Sequence, residues 1–391
     1  MRKQRIAQTA ERLVDAGAFS GVEWLISKGG KPWSRGRAGQ ADAVAGMAMP
    51  ENPIYRIYSM TKPIVSVAAL MLMERMQLRL FDPVAAALPD FAAPTILDPD
   101  GTTRPARRPI LVENLLTHRA GFSYGFLDNC PVGQRYRGLN LHDARLSLAE
   151  AVAAIAAEPI AYEPGTQWRY SAATDVLARL LEVVSGQPIG QLLDELILTP
   201  LGMTDTGYSV PEADRNRLMA MFGNDDLDRL FEFEAGPQVL TPADVSAAYP
   251  ADNPAFSRGG HGLFSTLDDY MKFAQFLMTG RSPSGEQLLS RKMMEMMVIN
   301  RIPASIMPLM IGPLEMPGYG YGLAGRVMIN QGAALGLTSD GEHGWAGAAS
   351  TYFWVDPAED VVGVVMSQYL GSKIPIGDDI RVAAYQALDE S

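Results

Sequence analysis

The feature that most constrains this chain is the segment "PIVSVAALMLMERMQL", Pro63 to Leu78, which is apolar on nearly every side at helical spacing. A helix with no polar face is a buried one, so the fold has to be built around it. Just before it, in "YSMTKP", stand Ser59 and Lys62. Lysine is among the last residues to be buried without a partner. Its place at the head of a buried helix therefore asks for a chemical reason.

Residues i and i+3 share a helical face, so Lys62 can reach Ser59. Pro63 would clash with the carbonyl four residues back, which predicts a helix from near Ser59 to about Leu80. The Ser59 hydroxyl then sits at the positive end of the dipole, where developing negative charge is stabilised. Taking an amine out of water disfavours its charged form, which suits it to accept a serine proton. Ser-x-x-Lys alone is a short pattern, however, and a first-turn lysine can also extend its stem to water.

A second serine competes. "GFSYG", Gly121 to Gly125, matches the Gly-x-Ser-x-Gly elbow, which needs a strand before it and a helix after it. Ser123 instead follows the helical "LVENLLTHRA" and precedes the loop-like "FLDNCPVG", so it reads as a loop serine.

The rest of the chain sets the architecture. "MRKQRIAQTAERLVDAG" reads as an amphipathic helix with no apolar core of a secretory signal. "FSGVEWLISKGGKPWSRGRAG" predicts two strands joined at a Gly-Gly turn. From Ser59 to about Pro254 the texture is helical, and "TLDDYMKFAQFLMTG" carries a Thr cap, early acids and a terminal glycine. Strands return in "GYGYGLAGRVMI", "ASTYFWVDP" and "DVVGVVMSQ", before a closing helix in "DDIRVAAYQALDE". This layout predicts an α+β fold: residues 1–58 with 319–391 form one sheet region, residues 59–318 are mainly helical, and the site lies between them.

With 391 residues, 47% of them hydrophobic, the chain can bury a large core in one large or two interleaved domains. A net charge of −11 argues against nucleic acid and anionic membrane as partners. A single cysteine, Cys130, excludes an internal disulfide framework and fits a reducing compartment. The longest apolar run is too short to span a bilayer. The expectation is a soluble, cytoplasmic protein.

Taken together, these segments resemble the serine β-lactamase-like family, in its class C-like branch with the family VIII carboxylesterases, from about Gly21 to Gln368. "YSMTKP" is similar to the nucleophile motif, and "YEPGTQWRYSAATDVLARLLEVVSG" to the second motif region. "LLTHRAGF", "LTPLGMTDTGY" and "GGHGLFSTLDDYMKF" resemble further family landmarks. The resemblance implies an antiparallel sheet flanked by helices beside an all-helical region. It implies Ser59 as nucleophile, Lys62 as general base and Tyr170 as the phenol that relays protons. Tyr170 taken alone reads as a packed aromatic with its hydroxyl satisfied.

Two departures refine the expected activity. The second motif usually reads Tyr-x-Asn in β-lactamases, whereas here Ala172 replaces the amide. The third is usually Lys-Thr-Gly, whereas "HGWAGAASTYFWVDP" places Trp345-Ala346-Gly347 there. A charge-assisted contact is worth ~1.5–3 kcal/mol, so without the strand lysine a penicillin carboxylate should bind poorly. A hydrophobic ester suits a tryptophan-lined site better. The oxyanion hole would be the backbone N–H groups of Ser59 and Ala348, with Gly347 permitting close approach of substrate.

The same alignment puts His343 either at the border of the site, as a substrate-binding residue beside Trp345 and Gly347, or at a strand end facing water. His118 reads as a loop-bridging residue, and His261 as part of a Gly-rich turn. No two histidines have metal-ligand spacing, so no metal or other cofactor is expected. The methionine clusters "KMMEMMV" and "SIMPLMIGPLEMPGYGYG" read as core filling, or as the wall of an acyl pocket. The expected activity is hydrolysis of small-molecule esters through an acyl-enzyme. The alternatives on the same machinery are β-lactamase, D-amino-acid peptidase and acyltransferase; a silent binding or scaffold member of the fold is the alternative of another class.

Overall fold

In the computed structural model, which describes residues 2–127, 130–233 and 235–389, the centre is one eight-stranded antiparallel sheet. Its order runs Tyr319–Tyr321, Arg326–Met328, His343–Gly347, Thr351–Asp356, Val361–Met366, Gly21–Lys28, Lys31–Asp42 and Met47–Ala48. The N-terminal hairpin thus pairs with a C-terminal strand, with Leu25 opposite Val364. Alternation along the strands sends their side chains to two different cores. Leu25, Trp345, Phe353 and Val364 face the inner core. Trp24, Tyr352, Trp354 and Val365 face a second core, closed by the helices Gln4–Asp15 and Ile376–Tyr385.

The apolar segment forms the helix Thr61–Glu74, in which every residue from Thr61 to Leu72 is buried. It is shorter than the pattern predicts. Met76 turns left-handed (φ 57°), and the N–H of Gln77 bonds back to the Leu72 carbonyl, a chain-reversing cap with methionine in place of the usual glycine. Around this helix pack others from the middle of the chain, Ala173–Ser185 and Ile189–Leu193 among them. One middle-chain helix, Leu267–Thr279, lies instead on the inner face of the sheet against Thr351–Asp356 and Val361–Met366. Its ends are as the sequence predicts: Thr266 Oγ1 accepts from the Asp269 N–H at 3.2 Å, and Gly280 closes it left-handed. Among the described residues, no helix is long and apolar enough to cross a membrane.

Candidate active site

The chain reaches the site through Tyr55–Arg56, which pairs with Phe264–Ser265. Tyr58 then adopts a left-handed conformation (φ 43°). That costs a non-glycine residue roughly 1–2 kcal/mol, and here it is offset by burial of the ring, whose centroid lies 4.8 Å from that of Tyr249. The reversal opens a tight turn, Tyr58–Met60, that brings Ser59 to a cavity wall. One turn further on, Lys62 is only 2% exposed.

Lys62 Nζ makes three hydrogen bonds: to Ser59 Oγ at 3.2 Å, to Tyr124 OH at 2.9 Å and to the Gly260 carbonyl at 2.7 Å. As an ammonium the group donates to all three partners; as the free amine it keeps two of these bonds and turns its lone pair to the third. The ammonium also stands 4.8 Å from the centre of the Tyr170 ring. The Tyr170 hydroxyl accepts instead from Trp345 Nε1 at 3.4 Å. In this resting arrangement Tyr124 is the phenol bonded to the lysine, and Tyr170 presents its face.

Sequence reasoning missed Tyr124, although it sits beside the competing serine. Ser123 itself is fully buried and does not line the cavity; its oxygen accepts from Arg169 Nε at 2.9 Å. No strand precedes it, so the elbow reading has no structural footing (residues 128 and 129 of the following loop lie outside the described residues).

A layer of buried polar groups surrounds the lysine. Asp175, 4% exposed, accepts from the Gly260 N–H at 3.0 Å, so one residue, Gly260, links the carboxylate to the lysine. Burial pushes the Asp175 carboxyl above its usual range, with Lys62 opposing. Burial likewise holds the Tyr124 phenol well above the usual tyrosine range, reinforced by Asp175. Three histidines stay neutral nearby, for one main reason. Burial holds His118 and His261 well below the usual imidazole value, and His142 down to about 4, with Lys62 adding to the effect on each. His142 Nδ1 and His261 Nε2 lie 3.3 Å apart. His118 Nδ1 is 3.2 Å from Ser171 Oγ, and its carbonyl accepts from the Arg169 N–H.

The cavity holds about 560 Å³. Ser59, Tyr124, Tyr170, Trp345, Gly347 and Ala348 line one part of it. Phe126, Phe231 and Phe233, in successive edge contacts, form an apolar wall with Leu227 and Met316. The strand His343–Gly347 packs on the Tyr58–Met60 turn, and a Cβ on Gly347 would come within 2.4 Å of the Ile57 carbonyl and 2.3 Å of Thr351 Oγ1. Only glycine fits there.

His343 is placed elsewhere. It shares a strand face with Trp345, but lies four residues before the glycine, buried, with Nδ1 3.1 Å from the Gly341 carbonyl. It lines a separate crevice with Leu277 and Met297, so neither the border position nor a water-facing one holds. Ala172 is fully buried as the residue before the helix Ala173–Ser185 and does not line the cavity. Of the methionine clusters, Met297 fills the core and Met316 reaches the cavity. Among the described residues, no group of three or more His, Cys, Asp or Glu is arranged to hold a metal ion.

A Ser-x-x-Lys pair whose lysine is buried, with two phenols, set between an antiparallel sheet and a helical layer, is the arrangement of a serine acyl-transfer enzyme. The Beta-lactamase family model matches residues 6–387, and the chain belongs to that family. It is 32% identical to Protein Rv1367c of Mycobacterium tuberculosis, over 91% of this chain and 87% of the relative. It is 28% identical to Esterase EstB of Burkholderia gladioli, over 93% and 90%. Among solved structures it superposes on EstCE1, described as a hydrolase with promiscuous acyltransferase activity, with a TM-score of 0.83 and 25% identity over 98% of both chains. The protein is a serine hydrolase.

Proposed function

We propose that the protein cleaves carboxylic esters by a two-step mechanism on Ser59. Lys62 takes the Ser59 proton as Oγ attacks the acyl carbon, and the carbonyl oxygen becomes an oxyanion facing the Ser59 and Ala348 N–H groups. As the intermediate collapses, the C–O bond to the alcohol breaks and the alkoxide takes the proton of the Tyr170 hydroxyl, which Lys62 restores after swinging from the ring face, where it rests, to that oxygen. Water then attacks the acyl-enzyme, gives up a proton along the same route, and releases the acid as Ser59 regains its hydrogen. The observation that carries this reading is the Lys62–Ser59 hydrogen bond, made by a lysine withdrawn from water.

Ester is favoured over β-lactam by the two replaced positions. Ala172 offers no amide, and Trp345 fills the place of the strand lysine with an indole packed on Tyr170 at 5.6 Å. An apolar wall of phenylalanines suits an uncharged ester. The acyl-enzyme can pass its acyl group to an alcohol as well as to water, a second outcome suggested by what EstCE1 is described as doing.

A fluorophosphonate probe tests the nucleophile. Labelling should survive Ser123→Ala and vanish in Ser59→Ala; persistence in Ser59→Ala would end the proposal. A nitrophenyl-ester series run beside nitrocefin tests the substrate class. Faster turnover of nitrocefin than of every ester would overturn the inference from Ala172 and Trp345.

A further inference from the structure

We propose that Asp175 is a positioning residue that acts through Gly260 to hold Lys62 against Ser59 and to set the acidity at which Ser59 becomes reactive. This rests on the acyl-enzyme reading above.

The geometry begins with two glycines. A Cβ on Gly259 would lie 1.9 Å from the Thr174 carbonyl, and one on Gly260 would lie 2.8 Å from Asp175 Oδ2, 2.6 Å from Tyr124 OH and 3.2 Å from Lys62 Nζ. The carboxylate and the ammonium therefore face each other across the bare α-carbon of Gly260. The same residue joins them through its backbone, since its N–H donates to Asp175 Oδ1 at 3.0 Å and its carbonyl accepts from Lys62 at 2.7 Å. With its N–H anchored by a buried carboxylate and its α-carbon hemmed in by Tyr124, Gly260 presents its carbonyl at a defined place, and so positions the lysine.

Asp175 also acts through its charge. It stands in the first turn of Ala173–Ser185 and is almost wholly buried. The charged or titratable groups facing it are Lys62, Arg258, Tyr124 and Tyr208. Those facing Lys62 are Tyr124, Tyr170, Asp175, His118, His142 and His261. Of the latter set Asp175 is the carboxylate, the histidines being neutral. Arg258 directs its donors to the carbonyls of Leu141, Asp143, Leu146 and Ser257, so the carboxylate is not tied up in an ion pair with it. A negative charge facing Lys62 across Gly260 attracts the positive charge that forms there when Ser59 gives up its proton. It therefore holds the proton taken from Ser59 more firmly, and it delays the rise of activity with pH.

The test is the rate of fluorophosphonate labelling, measured from about pH 5 to pH 10 for the wild type, Asp175→Asn and Asp175→Glu. The asparagine keeps an acceptor for the Gly260 N–H but removes the charge. Its acidic limb should move to lower pH, with a lower plateau from the weaker base. The glutamate keeps the charge and should keep the limb in place. Superposition of the Asp175→Asn limb on that of the wild type, whatever the plateau, overturns the proposal, because a purely structural role would lower the rate without moving the limb. Absence of labelling in the wild type would overturn this proposal and the acyl-enzyme reading together. Normal wild-type labelling with an unmoved limb overturns this one alone. Should Asp175→Asn fail to fold by circular dichroism, Asp175→Ser is judged by the same limb.

Discussion

Lys62 donates a 2.9 Å hydrogen bond to the hydroxyl of Tyr124, a residue 62 positions away in sequence, and reaches Tyr170 only through the ring face. The two phenols therefore stand differently to the lysine. Tyr124, held protonated by burial, is bonded to it, whereas Tyr170, next to Trp345, is the one that the proposed mechanism uses to exchange protons with substrate.

Exchanging each phenol for phenylalanine should separate these roles. Tyr124→Phe leaves one lysine donor without its acceptor, which costs about 1–3 kcal/mol, or roughly 5- to 150-fold in kcat/KM. Tyr170→Phe removes a proton-transfer group and should cost on the order of 100- to 10,000-fold in kcat. Steady-state kinetics on one nitrophenyl ester measures both. The opposite ranking would make Tyr124 the proton carrier.

Trp345 combines packing with one hydrogen bond. It is buried, with its ring centre 5.2 Å from that of Tyr321 and its N–H aimed at the Tyr170 hydroxyl. Trp345→Ala should cost about 3–5 kcal/mol of stability, seen as a lowered urea midpoint. Trp345→Phe should stay folded and lose about fivefold in kcat, the worth of one ~1 kcal/mol hydrogen bond.

Gly347 tests the close approach of strand and nucleophile turn. A methyl group there meets the Ile57 carbonyl, which is backbone and cannot rotate aside. Gly347→Ala should destabilise by about 1–3 kcal/mol and slow fluorophosphonate labelling at least tenfold. Unchanged labelling would place the oxyanion donors elsewhere.

The acid stability of the fold should depend on His142. Its value falls from the ordinary 6.5 to about 4 in the folded protein, chiefly through burial. The unfolded chain takes up this proton as pH falls through 6.5, but the folded chain does so only near 4. Its contribution is therefore fully present above that window and is lost as pH falls through it. The ring keeps one side on the cavity, so the loss is on the order of 1–2 kcal/mol. Urea unfolding near pH 7.5 and pH 4.5 should show a smaller drop for His142→Asn than for the wild type; equal drops would mean that the ring is not buried as described.

Much of the fold and part of the site can be read from the chain alone, because local rules govern them. The all-apolar run marks the central helix, Thr266 and Gly280 mark the ends of Leu267–Thr279, and alternation marks the strands of the sheet. The three-residue spacing brings Lys62 to Ser59 because one helical turn is enough to do so. What spacing could not supply is anything assembled from afar. Tyr124, Asp175 and Gly260 meet at Lys62 from three separate loops and helices, and His142 meets His261 across 119 residues. His343 shares the face of Trp345 in the pattern but points into another crevice, since a strand sets the face and not the position along it. Short-range geometry is written in the backbone period. The company a buried charge keeps is decided only when distant segments close around it, because only that packing removes the water which would otherwise solvate it.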